Sequence, residues 1–186
     1  MSPTDKQALR RAVRARFPGV EERSRESDLI CRHVRAWPVW QRANVVAGYV
    51  PMGHEADITP LLTDALASGK TLLLPRVEGD SVMTLRRVSR LDELVPGRWG
   101  IPEPAEEAAM VDVSAAQLLL VPLEAIDRSG MRLGKGGGFY DALLQGCEAV
   151  TLGIALSWQR VERVPRDPWD QPLSAVADRN GIECFR

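Results

Sequence analysis

Five consecutive residues, Leu118-Leu119-Leu120-Val121-Pro122, carry no polar side chain. The run is too short for a helix and apolar on both faces. It therefore fits a strand buried between two layers. Asn44–Val50, Thr71–Pro75 and Val150–Leu156 repeat the pattern, and Val82–Val88 reads as an edge strand. Between them the apolar period changes to that of helices. Residues 4–17 carry the stripe Ala8, Leu9, Ala12, Val13 behind a capping Thr4, and Pro18-Gly19 ends it. A second helix spans 21–35, with Pro38 as its stop. Thr59-Pro60 opens a third through Leu61, Leu62, Ala65 and Leu66, closed by Gly69, and Phe139–Gln145 starts a fourth. Short buried strands alternating with amphipathic helices predict an α/β chain. The expected form is a single three-layer domain over 1–186, with a mainly parallel central sheet flanked by helices.

In such sheets ligands sit beyond the carboxyl ends of the strands. The segments leaving those ends here are 51–57, 75–80, 122–138 and 157–165. One of them runs into Arg132-Leu133-Gly134-Lys135-Gly136-Gly137-Gly138-Phe139-Tyr140-Asp141. Clustered glycines let backbone amides approach a ligand closely. A helix start just beyond them, with Arg132 and Lys135 alongside, makes an anion site. The Walker A spacing fails, because Ser129 and Gly136 stand where glycine and a hydroxyl are required. The dinucleotide fingerprint fails at Phe139. On the residues alone two readings stand: a phosphate loop, or a flexible turn before a helix. Asp141 beside a phosphate would need a divalent cation between them, which points to Mg²⁺; alone it is also an ordinary helix-start aspartate.

Whole-chain charge is -1, which excludes a field suited to nucleic acid. Residues 1–35, however, hold nine Lys/Arg against five Asp/Glu, an excess of +4. That excess is either a solvated helix face or a source of cations for an anionic ligand. Three scattered cysteines (Cys31, Cys147, Cys184) suit a reducing compartment. The charged N-terminus predicts no secretory leader, and no apolar run reaches the ~20 residues of a membrane span. A cytoplasmic protein is expected, with no membrane or nucleic-acid partner.

Six segments, in order, carry a resemblance that covers nearly the whole chain. They are Lys6-x-x-Leu9-Arg10, Gly48-Tyr49-Val50-Pro51-Met52-Gly53-His54-Glu55-Ala56-Asp57, and Gly69-Lys70 with Leu74-Pro75-Arg76. Trp99-Gly100-Ile101-Pro102-Glu103-Pro104, residues 132–141, and Gln159 with Val164-Pro165 and Asp170 complete the set. Together they resemble the 5-formyltetrahydrofolate cyclo-ligases, or 5,10-methenyltetrahydrofolate synthetases. The resemblance implies ATP-dependent closure of a reduced folate: the formyl oxygen takes the γ-phosphoryl group, N10 attacks the carbon, and phosphate leaves.

It implies ATP contacts from Lys6, Arg10, Arg132, Gly134, Lys135, Gly136, Gly137, Gly138, Phe139, Tyr140 and Asp141. Asp141 would hold Mg²⁺, and Arg132, Lys135 and Tyr140 would serve the transfer itself. Tyr49, Met52, Glu55, Trp99, Tyr140 and Gln159 would receive the folate, with Glu55 as pterin anchor. Trp99 could equally pack in the core, and Gln159 could equally cap a strand. His54 reads as a surface group. The chain departs from the family pattern in Phe139 (for tyrosine), in Val121-Pro122-Leu123-Glu124-Ala125, which puts a carboxylate near the glycine segment, and in Trp169 before Asp170. The implied partners are ATP and 5-formyltetrahydrofolate, bound by a monomer. The alternatives are a non-catalytic folate-binding paralogue and another ATP-dependent small-molecule kinase or ligase on the same scaffold.

Overall fold

A computed structural model of the chain describes residues 3–79, 82–168 and 170–185. Asp80, the end of one expected loop, and Trp169 lie outside the described residues. In chain order the helices are α1 (Pro3–Arg14), α2 (Val20–Ala36), α3 (Pro38–Arg42), α4 (Thr59–Ala67) and α5 (Phe139–Leu144). The strands are β1 (Val45–Ala47), β2 (Thr71–Val77), β3 (Met83–Val88), β4 (Val95–Pro96), β5 (Pro102–Glu103) and β6 (Met110–Val111). They continue with β7 (Leu118–Val121), β8 (Ala125–Ile126), β9 (Arg132–Leu133), β10 (Val150–Ile154), β11 (Ala175–Asp178) and β12 (Gly181–Cys184).

Eight strands form one sheet in the order β12-β11-β10-β7-β1-β2-β3-β6. Strands β11, β10, β7, β1 and β2 run parallel, and the antiparallel partners β12 and β3–β6 lie at the two margins. The mainly parallel expectation is met. Strand alternation then sorts the side chains into two layers. Val46, Leu72, Leu74, Leu118, Leu120, Leu152 and Ile154 face a core supplied by Ile30 and Val34 of α2, Trp40 of α3, and Leu61 and Leu62 of α4. Ala47, Leu73, Leu119, Val121 and Val176 face the other side, where Leu123 and Leu173 from loops and Ile126 of β8 join Leu144 of α5. Leu118–Val121 is buried throughout. Each such leucine contributes about 2 kcal/mol of burial.

Two readings change. Pro38 stops α2 and also starts α3, since Trp37 is extended (φ −75°, ψ 128°) and proline fits a first helical turn. The strand placed at Val82–Val88 begins at Met83 and is not a free edge, because β6 pairs with its outer side at Leu85 and Arg86. Helix α1 packs on neither sheet face. Its Val13 joins Ala125, Met131, Leu133 and Val164 in a third small core beyond the strand ends. Among the described residues no helix is long and apolar enough to cross a membrane.

Candidate functional site

The chain leaves β1 toward β2 on one side, while β7 lies on the other side of β1. The loops following β1 and β7 therefore diverge from neighbouring carboxyl ends, the kind of crevice where open α/β sheets bind ligands. The β1 loop brings Tyr49, Met52 and Glu55. The longer segment after β7 brings Glu124, the β8–β9 hairpin, the glycine run and α5.

Asp127 shapes the hairpin. One of its oxygens accepts from Ser129 N (2.8 Å), Ser129 Oγ (2.6 Å) and Met131 N (3.3 Å), and the other accepts from Val164 N (2.9 Å). Burial pushes this carboxyl up, but the bonds from Ser129, Val164 and Met131 outweigh it and hold it below the ordinary value. Arg132 leaves this hairpin nearly buried at 6% exposure. Its Nη2 donates to Asp141 Oδ1 at 2.6 Å, and its guanidinium carbon lies 5.8 Å from the centre of the Tyr140 ring. Its Nε is buried without an acceptor. A buried charged donor left unpaired is costly, so an acceptor is called for here. Burial lowers the Arg132 pKa and Asp141 opposes the shift, yet a guanidinium keeps its proton throughout.

The glycines allow two close approaches. A Cβ on Gly134 would stand 2.9 Å from Arg132 Nη1, and Gly136 adopts φ 107°, where other residues are strained. Arg10 of α1 donates from Nε to Gly134 O at 2.8 Å and lies against Gly136. Lys6, one turn earlier, pairs with Asp170 (2.6 Å) and Asp167 (2.8 Å). Lys135 reaches across to Glu55 Oε1 at 2.7 Å, while Glu55 Oε2 accepts from Met52 N at 3.0 Å. Burial pushes the Glu55 carboxyl up, and Lys135 and the Met52 amide pull against that rise without cancelling it.

The structure thus brings Arg10, Arg132, the glycine run, Lys135, Asp141 and Glu55 into one connected cluster, with Lys6 on the adjoining turn of α1. Trp99 joins from the β4–β5 hairpin. It is 63% exposed, so the core-packing alternative fails. Its ring centre lies 6.0 Å from that of Phe139 and 4.8 Å from the Arg98 guanidinium. Its φ of 58° is rare for a bulky residue, and such strain gathers at ligand sites. Tyr49 is buried and donates its hydroxyl to Ala56 O at 3.1 Å, which shapes the β1 loop. Gln159 is buried with both ends of its amide engaged, accepting from Leu156 N (2.8 Å) and donating to Leu123 O (2.7 Å). That leaves it a brace between the β7 and β10 loops. His54 is exposed, 4.5 Å from the Phe17 ring centre.

Sequence reasoning missed the pairing of Glu124 with Arg14, whose Nη2 and Nε donate at 2.7 and 3.0 Å. It also missed the roles of Asp127 and Asp167. The helical spacing of Lys6, Arg10 and Arg14 was the available signal.

Residues 3–178 match the 5-formyltetrahydrofolate cyclo-ligase family. The chain belongs to that family. A 5-formyltetrahydrofolate cyclo-ligase of Mycolicibacterium smegmatis is 31% identical over 196 residues, covering 100% of both chains. One of Escherichia coli is 32% identical over 174 residues, covering 90% of this chain and 94% of its own. In structure, the 5,10-methenyltetrahydrofolate synthetase of Aquifex aeolicus superposes with a TM-score of 0.87 at 36% identity, covering 97% of this chain and 93% of that one. As a cyclo-ligase family member, the chain has its cluster of cations and carboxylates at the crevice where the sheet's topology places a ligand.

Proposed function

We propose that this chain is an ATP-dependent ligase that cyclises 5-formyltetrahydrofolate to 5,10-methenyltetrahydrofolate, releasing ADP and phosphate. The observation that carries the reading is Arg132: a nearly buried guanidinium with an unpaired Nε, at the foot of a glycine run flanked by Arg10 and Lys135. That arrangement suits a phosphate group, which supplies the missing acceptor and meets the positive charge.

The chemistry asks for positioning and charge neutralisation more than for a protein nucleophile. An N-formyl group is an amide, with a poor oxygen leaving group. Transfer of the γ-phosphoryl group to the formyl oxygen turns that oxygen into part of a phosphate. N10 then attacks the formyl carbon and loses its proton, and the C–O bond breaks as phosphate leaves. Arg132, Arg10, Lys135 and Lys6 would hold the phosphates, and the amides of Gly134–Gly138 would line them. Glu55 would accept hydrogen bonds from the aminopyrimidine edge of the pterin. Met52, Tyr49, Trp99 and Tyr140 would wall the ring, with Gln159 behind them.

The donor set for a metal is sparse. Among the described residues, no group of three His, Cys, Asp or Glu side chains gathers to hold an ion. Of the carboxylates by the glycine run, Glu55 is paired with Lys135, Glu124 with Arg14 and Asp141, the most exposed of the three, with Arg132. This suits Mg²⁺ carried mainly by phosphate oxygens and water, with Asp141 as its protein contact. When bound, the ion would neutralise and orient the phosphates.

We further propose a single-domain monomer working in the cytoplasm, a setting in which Cys31, Cys147 and Cys184 stay as free thiols. The enzyme reading is tested by mixing the chain with 5-formyltetrahydrofolate, ATP and Mg²⁺ and following the methenyl product's absorbance. Product formation that requires both ATP and protein is expected. Folate binding without product would replace the reading with that of a folate-binding paralogue.

A further inference from the structure

Glu124 presents an electrostatic problem that the proposed reaction does not explain. Its side chain is buried, and its backbone N donates to Leu133 O at 2.7 Å, on the strand that enters the glycine run. A buried carboxylate here opposes any phosphate bound over residues 132–141. It is met by Arg14 through two bonds of 2.7 and 3.0 Å, the fork geometry in which a guanidinium best matches a carboxylate. Arg14 is one helical turn beyond Arg10, whose guanidinium lies on the glycine run. The same helix face carries Lys6, so three cations at four-residue spacing each grip a different segment of the site.

We infer that Arg14 is a positioning residue that acts through Glu124: by neutralising this buried carboxylate, one helical turn from Arg10, it keeps an opposing charge away from a nucleotide on the phosphate loop. This rests on the placement of ATP at residues 132–141. Removing Arg14 alone strands a buried negative charge beside the phosphates. Once Glu124 has been made neutral, the loss of Arg14 has little left to expose.

The experiment is a double-mutant cycle, reading the affinity of a non-hydrolysable ATP analogue by calorimetry, with a thermal melt of each variant. Arg14→Gln is expected to weaken binding about tenfold, and Arg14→Lys, which keeps the charge, by no more than about threefold. Adding Glu124→Gln to Arg14→Gln should restore affinity to within about threefold of wild type. In turnover the loss should fall on the KM for ATP, with kcat and the folate KM little moved. Equal losses in Arg14→Lys and Arg14→Gln, or no restoration in the double variant, would overturn the inference. If Arg14→Gln does not fold, the double variant is compared with Glu124→Gln: equal affinities support the charge account, and a tenfold gap overturns it. A wild-type chain that binds no ATP analogue overturns both this inference and the enzyme reading, whereas unchanged variants of a binding wild type overturn this inference alone.

Discussion

Replacing Lys135 with methionine should destabilise the fold in a pH-dependent way, because it leaves Glu55 buried and unpaired. Glu55 is 6% exposed and the Lys135 side chain 41% exposed. Breaking a fully buried pair costs about 3–5 kcal/mol, and an exposed pair is worth about 0–1 kcal/mol. A half-exposed lysine on a buried carboxylate falls between, at about 2 kcal/mol near neutral pH. For a chain of this size that lowers Tm by about 4–8 °C.

The sign with pH follows from Glu55. Burial already holds its folded pKa above the unfolded value, and loss of Lys135 raises it further. The charged carboxylate is therefore the form that the fold disfavours. The destabilisation is fully present above the folded pKa and fades as pH falls through it toward the unfolded value. Thermal melts followed by circular dichroism, from about pH 8 down to about pH 4.5, span that range. The gap between Lys135→Met and wild type should close at the acid end, and adding Glu55→Gln should close it near neutral pH. A depression that stays equal at both ends of the range, with no rescue by Glu55→Gln, would show that the Glu55 charge is not its cause.

Two further outcomes concern the ligands. Trp99→Ala should raise the folate KM about tenfold and leave the ATP KM unchanged, since it removes a strained, exposed ring beside Phe139; steady-state kinetics against each substrate checks this. Asp141→Asn should abolish most Mg²⁺-dependent turnover and leave Tm within a few degrees, as the paired carboxylate is partly exposed and its partner Arg132 keeps an amide acceptor; a magnesium titration of rate, paired with a melt, checks it.

The central sheet was legible because its signals are local. Leu118–Val121 needs no partner to read as buried, and proline and glycine bound α4 from within. The marginal strands were not legible. Strands β4, β5 and β6 are two residues each, too short to show a period; β6 and β11 are held by β3 and β10, distant in sequence, and β12 by its hairpin with β11 after a proline-rich stretch. The glycine run could be read as an anion site from its own residues. The contacts Lys135–Glu55, Arg14–Glu124 and Lys6–Asp170 could not, because each joins a residue to one far along the chain: the first meets where the β1 and β7 loops converge, and the other two where α1 packs on the third core. Trp99 shows the same limit. Its residue type fits core and surface alike, and its exposure is set by the turn between β4 and β5. Gln159 was left between folate contact and cap, and its two engaged amide ends give it a bracing role that a periodicity cannot express.

In the proposed reaction the formyl oxygen leaves as part of phosphate, and an isotope measurement reaches that step directly. 5-Formyltetrahydrofolate carrying ¹⁸O in its formyl group is converted by the chain with unlabelled ATP and Mg²⁺, and the released phosphate is analysed by mass spectrometry. One ¹⁸O atom per phosphate is the predicted result. Methenyl product formed alongside unlabelled phosphate would contradict it.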